Sequence, residues 1–106
     1  MLRRDKLSSL IKEISAQFLE RESNHSSLIT VTNCIVSQDT KRATVYITVL
    51  PEEKEKAALG FAKRQRSELR DKIKKSLNVK IIPYIDIELD MGEKNRQKID
   101  ELLRNS

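Results

Sequence analysis

The sequence predicts an α+β fold in the order αββααβα, with its helices laid mainly on one face of a small sheet. Three observations predict it. Apolar residues recur at helical spacing over residues 3–21 and again between Pro51 and Asn78. Residues 28–37, 43–50 and 79–90 are instead rich in β-branched side chains, and apolar and polar positions alternate in the last two of these segments. The longer helical stretch lies between the second and third strand segments, so two helical pieces can go out and return across a sheet. The chain of 106 residues is read as one domain, 1–106, because halving it would leave two cores too small to hold.

The elements follow in order. In residues 3–21, Leu7, Leu10, Ile11, Ile14, Phe18 and Leu19 make one helical face, while Arg3, Arg4, Lys6, Lys12, Glu13 and Glu20 make the other. The polar face mixes both signs, which fits a core-facing helix better than a mainly basic membrane-surface helix. Glu22–Ser27 is polar and reads as a loop. Leu28–Ser37 reads as a strand in which Ile29 and Val31 share one parity and Cys34 and Val36 the other. That change predicts either a bulge near Asn33 or burial on both faces. A turn at Gln38–Arg42 joins it to the strand Ala43–Leu50 as an antiparallel hairpin. Ala43, Val45, Ile47 and Val49 point one way there, and Thr44, Tyr46 and Thr48 the other.

Pro51 suits a first helical position, and Glu52 and Glu53 suit the positive end of the helix dipole. The helix runs past Ala57, Ala58 and Leu59. Its apolar row of Phe61, Leu69, Ile73 and Leu77 is interrupted at Gln65, and Lys63–Glu68 holds no apolar residue. A helix has nothing to bury across that gap, so a kink or break is expected at Gln65–Ser67. Asn78 tolerates the left-handed conformation that ends a helix. Val79–Asp90 is read as the third strand, with Pro83 marking an edge or start. Asp90 and Glu93 form a capping-box-like start to a last helix carrying Ile99, Leu102 and Leu103.

Composition excludes several classes of function. No apolar run approaches the roughly 18 residues that span a bilayer. The start MLRRDKLSS is not followed by an unbroken apolar run, so no signal peptide is expected, and the single cysteine fits a reducing cytoplasm. His25, the only histidine, sits in a polar loop without a positioned partner, and Cys34 reads as a small core residue. No Cys/His cluster has metal-ligand spacing. Asp86, Glu88 and Asp90 resemble a hard-cation site, but alternation on a solvated strand face is the simpler account. With only two glycines there is no phosphate-cradling loop. No catalytic residue, cofactor or metal is expected.

One segment stands out. Between positions 63 and 80, Lys63, Arg64, Arg66, Arg70, Lys72, Lys74, Lys75 and Lys80 face only Glu68 and Asp71, while the whole chain carries a net charge of +5. The basicity therefore belongs to this stretch. Arg66, Arg70 and Lys74, spaced by four, line one helical ridge suited to phosphates. The candidate RNA-binding residues are Lys63, Arg64, Arg66, Arg70, Lys74, Lys75 and Lys80. Only Tyr46 and Tyr84 offer plausible stacking surfaces, which favours recognition of a folded RNA's shape and backbone. Reversal of Arg66, Arg70 and Lys74 to glutamate is expected to abolish binding and leave the fold intact. A general RNA- or DNA-binding module, or a protein-interaction module whose basic face meets an acidic partner, are the alternatives.

The hairpin TVTNCIVSQDTKRATVYITV (Thr30–Val49), the Leu69–Arg70 pair followed by Lys80, Pro83 and Asp90, and the final helix with Ile99, Leu102 and Leu103 together resemble the bacterial ribosome-binding factor A family. Within the hairpin, Ser37, Asp39, Ala43, Val45 and Tyr46 fall in matching places. The resemblance spans nearly the whole chain. It implies a KH-like fold of the second type with a mixed three-stranded sheet. It also implies a non-catalytic cytoplasmic assembly factor, monomeric when free, that binds 16S rRNA in the precursor of the small ribosomal subunit near the neck and decoding region. The family lacks the GxxG loop of other KH domains and carries an Ala-x-Gly kink between its two helices. Here Gln65-Arg66-Ser67 stands at that position, and the chain ends at Ser106, short of the longer C-terminal tail of many relatives.

Overall fold

The computed structural model describes residues 4–22, 27–79 and 81–104. The chain runs α1 (Arg4–Glu22), β1 (Leu28–Val36), β2 (Arg42–Leu50), α2 (Glu55–Arg64), α3 (Arg66–Leu77), β3 (Tyr84–Leu89) and α4 (Met91–Arg104). The strands form one mixed sheet in the order β1-β2-β3, with β1 antiparallel and β3 parallel to the central β2. A parallel neighbour requires a crossover of about a dozen residues or more, and α2 and α3 supply it.

Burial follows the alternation. Ile29, Val31, Cys34 and Val36 of β1, Ala43, Val45, Ile47 and Val49 of β2, and Ile85 and Ile87 of β3 all face one core. Ile11 and Leu19 of α1, Ala58 and Ala62 of α2, and Leu69 and Ile73 of α3 close over them. The opposite sheet face carries Thr44, Tyr46, Thr48, Asp86 and Glu88, all partly exposed. The helices that pack against the sheet thus lie on one side, and α4 is not among the principal packing partners of the described elements.

The parity change in β1 is a bulge. Val31 pairs with Ile47 and Asn33 with Tyr46, which leaves Thr32 as the extra residue. The Asn33 side chain accepts the Cys34 N–H at 2.8 Å. At the hairpin turn, Asp39 Oδ1 accepts from the Ser37 hydroxyl at 2.6 Å and the Lys41 N–H at 3.0 Å, and Thr40 takes a positive φ of 59°. Two of the residues behind the family resemblance, Ser37 and Asp39, thereby build the turn.

Two boundaries differ from expectation. Pro51 does not open α2. It adopts an extended ψ of 159° ahead of a single 3₁₀ turn at Glu52–Lys54, and α2 starts at Glu55. The third strand is shorter than Val79–Asp90 and begins at Tyr84. Only β2 neighbours it, and β2 starts at Arg42, the partner of Tyr84, so residues before Tyr84 have no strand to pair with. Pro83, just upstream, has no N–H to donate. The Glu22–Ser27 loop, with His25, falls largely outside the described residues.

Helix ends obey local chemistry. Asn78 stops α3 in the left-handed conformation, φ 51° and ψ 46°, and its N–H donates to the Lys74 carbonyl at 3.0 Å. Asp90 starts α4, with its Oδ1 accepting the Glu93 N–H at 2.9 Å. Its other oxygen accepts the hydroxyl of the bulge residue Thr32. The Thr32 bond first, then the Glu93 N–H, holds the Asp90 carboxyl below its ordinary value of 3.8. A depressed folded-state value means that this stabilisation is fully present above the ordinary value and is lost as pH falls through the folded one. Asp90→Ala is expected to cost about 0.5–2 kcal/mol near neutral pH. In urea unfolding, the gap between wild type and variant should hold at pH values well above the ordinary 3.8 and narrow as the pH falls below it.

Candidate nucleic-acid interface

The polar gap in the helical pattern becomes a one-residue joint. Gln65 lies outside both helices at φ −91° and ψ 4°, its N–H donating to the Ala62 carbonyl and its own carbonyl accepting the Leu69 N–H at 3.0 Å. These angles lie in the bridge region, which residues other than glycine adopt without a positive φ. The expected kink therefore survives Gln65-Arg66-Ser67 in place of a glycine-containing sequence. No glycine among the described residues takes a positive φ.

The seven candidate residues separate into three groups. Arg64, Arg70, Lys74 and Lys75 are exposed and, among the described residues, make no ion pair. Arg70 and Lys74 each follow one of the buried anchors Leu69 and Ile73, so the seating of α3 turns them outward. Four residues apart, they stand about 6 Å from each other along the helix axis. Lys80 lies outside the described residues.

Lys63 and Arg66 behave differently. They flank the joint and bind the edge strand β3. Lys63 Nζ sits 3.2 Å from Glu88 Oε1 and 3.8 Å from Asp86 Oδ1. The Arg66 guanidinium donates through Nη1 to Asp86 Oδ1 at 3.2 Å and to the Tyr84 hydroxyl at 3.0 Å, and through Nε to the Lys63 carbonyl at 3.1 Å. It also stands 5.7 Å from the centroid of the Tyr84 ring. Arg66 thus closes the α2 end of the joint and ties it to the sheet edge.

One expectation needs narrowing. A glutamate at position 66 would face Asp86, so reversal of Arg66 breaks a local ion pair as well as changing the surface charge, and Arg70 and Lys74 are the cleaner probes. The expected ridge Arg66–Arg70–Lys74 has one end engaged and the other exposed without an ion pair among the described residues. Lys72 is also turned away from this surface, its Nζ 5.8 Å from the Phe18 ring of α1. Sequence reasoning treated Asp86 and Glu88 as a solvated face and missed their partners. The only available signal was the opposite sign of the two stretches, and nothing in it placed the end of α2 beside β3.

The remaining candidates find other roles. Asp86 and Glu88 face cations while Asp90 caps α4, so the three carboxylates do not converge. No group of three or more His, Cys, Asp or Glu among the described residues is placed to hold a metal ion. Cys34 is buried, and burial pushes its thiol up to about 11 against the opposing charge of Lys12, so it stays protonated at neutral pH. Tyr46 is half-buried, and Tyr84, though 54% exposed, already carries Arg66. No described helix is long and apolar enough to cross a membrane.

Known proteins match this arrangement. Residues 3–103 match the family described as Ribosome-binding factor A. Ribosome-binding factor A of Beutenbergia cavernae is 34% identical over 107 residues, which cover 98% of this chain and 67% of that protein. The Streptomyces coelicolor protein of the same name is 31% identical over 105 residues, 95% of this chain and 66% of its own length. The chain thus spans about two thirds of the length of these relatives. In structure it is similar to crystalline ribosome-binding factor A from Thermus thermophilus, with a TM-score of 0.71 at 19% identity over 83% of this chain and 97% of that one. A homology model of the Thermus thermophilus factor, fitted into a cryo-EM map of its complex with the 30S subunit, superposes with a TM-score of 0.69 at 20% identity over 78% of this chain and 90% of that one. The mixed sheet with its kinked helix pair is thereby the KH-like α+β fold, and the chain belongs to the ribosome-binding factor A family.

Proposed function

We propose that this protein binds the immature small ribosomal subunit through its 16S rRNA and assists maturation without catalysing a reaction. The observation that carries the reading is the row of exposed cations, without ion pairs among the described residues, on a helix pair whose inner face is committed to the core, in a chain of this family. Arg64, Arg70, Lys74 and Lys75 form its RNA-binding centre, with Lys80 beside them in sequence. Such a surface holds phosphates and carries no platform for stacked bases, so it reads the shape and backbone of folded RNA. The protein acts in the cytoplasm as a monomer, with residues 1–106 as a single KH-like domain.

Co-sedimentation with purified small subunits, precursor and mature, across a salt series tests this, with large subunits as the control. If four cations meet phosphate, affinity should fall about 10²-fold between 50 and 200 mM salt, and about 10³-fold if six do. Preferential, salt-dependent pelleting with precursor small subunits is the expected result. Equal binding to large subunits would reduce the protein to a general nucleic-acid binder, and absence of binding at low salt would point to an acidic protein partner.

A further inference from the structure

Lys63 and Arg66 lie on either side of the joint, yet both rest on carboxylates of β3. We infer that Asp86 and Glu88 occupy the places of RNA phosphates and compete with them, so that binding exchanges the two cations from strand to RNA. The inference rests on the proposed RNA-binding role of α2 and α3.

Three features support exchange over a permanent structural clamp. The groups are half-exposed, the side chains of Lys63, Arg66, Asp86 and Glu88 keeping 36%, 37%, 34% and 46% of their accessible surface. Ion pairs so exposed hold weakly and open readily. The Arg66 guanidinium presents one nitrogen to Asp86 Oδ1 and to the Tyr84 hydroxyl, a single-point contact rather than a two-pronged grip on the carboxylate. A phosphate offers the fork a better-matched partner. Finally, the pairs lie beside the exposed Arg64 at the end of α2, so a backbone tracking α3 past Lys74 and Arg70 arrives at them without leaving the helix pair. In the free protein the carboxylates lower the local field, and weak polyanions are held less well than an RNA that contacts the whole row.

The test uses the intact chain and an RNA hairpin with an A-form stem. Asp86→Asn with Glu88→Gln should bind roughly 3- to 30-fold more tightly at constant salt, the range set by two weak surface pairs. Glu13→Gln with Glu53→Gln, which changes the net charge equally at exposed sites elsewhere, should raise affinity less. Lys63→Gln with Arg66→Gln should flatten the salt dependence by about two in slope, since each engaged cation contributes about one. Circular dichroism checks that each variant keeps its helices. Unchanged or weaker binding by a folded Asp86→Asn, Glu88→Gln protein would overturn the exchange, as would an unchanged slope without Lys63 and Arg66. Failure of the interface itself shows differently, as wild-type binding that is indifferent to reversal of Arg70 and Lys74.

Discussion

Replacing Leu69 with alanine should cost about 2–5 kcal/mol, a large part of the roughly 5–15 kcal/mol that holds a domain together. The side chain is fully buried. It is the first apolar residue after the joint, and its N–H closes the first turn of α3 on the Gln65 carbonyl. Alanine would keep that backbone bond, since it is an excellent helix former. The loss would therefore report the cavity alone. Ile73, one turn further on and equally buried, should behave alike, and the double variant should depart from additivity because the two face the same core. Urea unfolding followed by circular dichroism measures all three. A change below about 1 kcal/mol would mean that α3 is not seated as described.

The second large effect concerns binding and leaves stability alone. Arg70→Glu with Lys74→Glu should weaken association with small subunits by at least about 10²-fold near physiological salt, and should reduce the salt slope by about two. Both residues are exposed and make no ion pair among the described residues, so the unfolding midpoint should move little. Their anchors Leu69 and Ile73 remain in place, and the ridge they present changes sign. Wild-type affinity in this folded variant would remove α3 from the interface. Comparison with the Leu69 variant separates two ways of losing function, since one protein fails to hold the surface and the other holds the wrong surface.

Much of this architecture was legible in the chain, and the reasons are local. The β2 alternation from Ala43 to Val49 matches the ladder residue for residue because a single core lies on one side. The broken parity of β1 announced its bulge, the missing apolar position at Gln65 announced the joint, and Asn78 and Asp90 announced a helix end and a helix start. Where sequence reading went astray, the cause was non-local. The start of β3 is set by where β2 begins, which Val79–Pro83 cannot encode. The partners of Lys63 and Arg66 lie 18 or more residues away on an edge strand, and only the packing of α2 against β3 brings them together. The exposed cations Arg70 and Lys74 were legible because their exposure follows from helix phase relative to Leu69 and Ile73. The engaged ones were not, because their fate depends on a neighbouring element.

The bulge residue Thr32 has a meaning for how this chain tolerates insertion and deletion. With Thr32 deleted, Ile29, Val31, Cys34 and Val36 would still fall on one side of an unbroken alternation, so the core gains nothing from the additional residue. What Thr32 contributes is a hydroxyl that a regular ladder would not hold there, joined to the carboxylate that caps α4. The irregularity is a rivet between the first strand and the last helix, and chain length at this point is set by the fastening rather than by the interior. A relative that lost this residue would keep its sheet but would need another means of fixing the direction in which its C-terminal helix leaves the body.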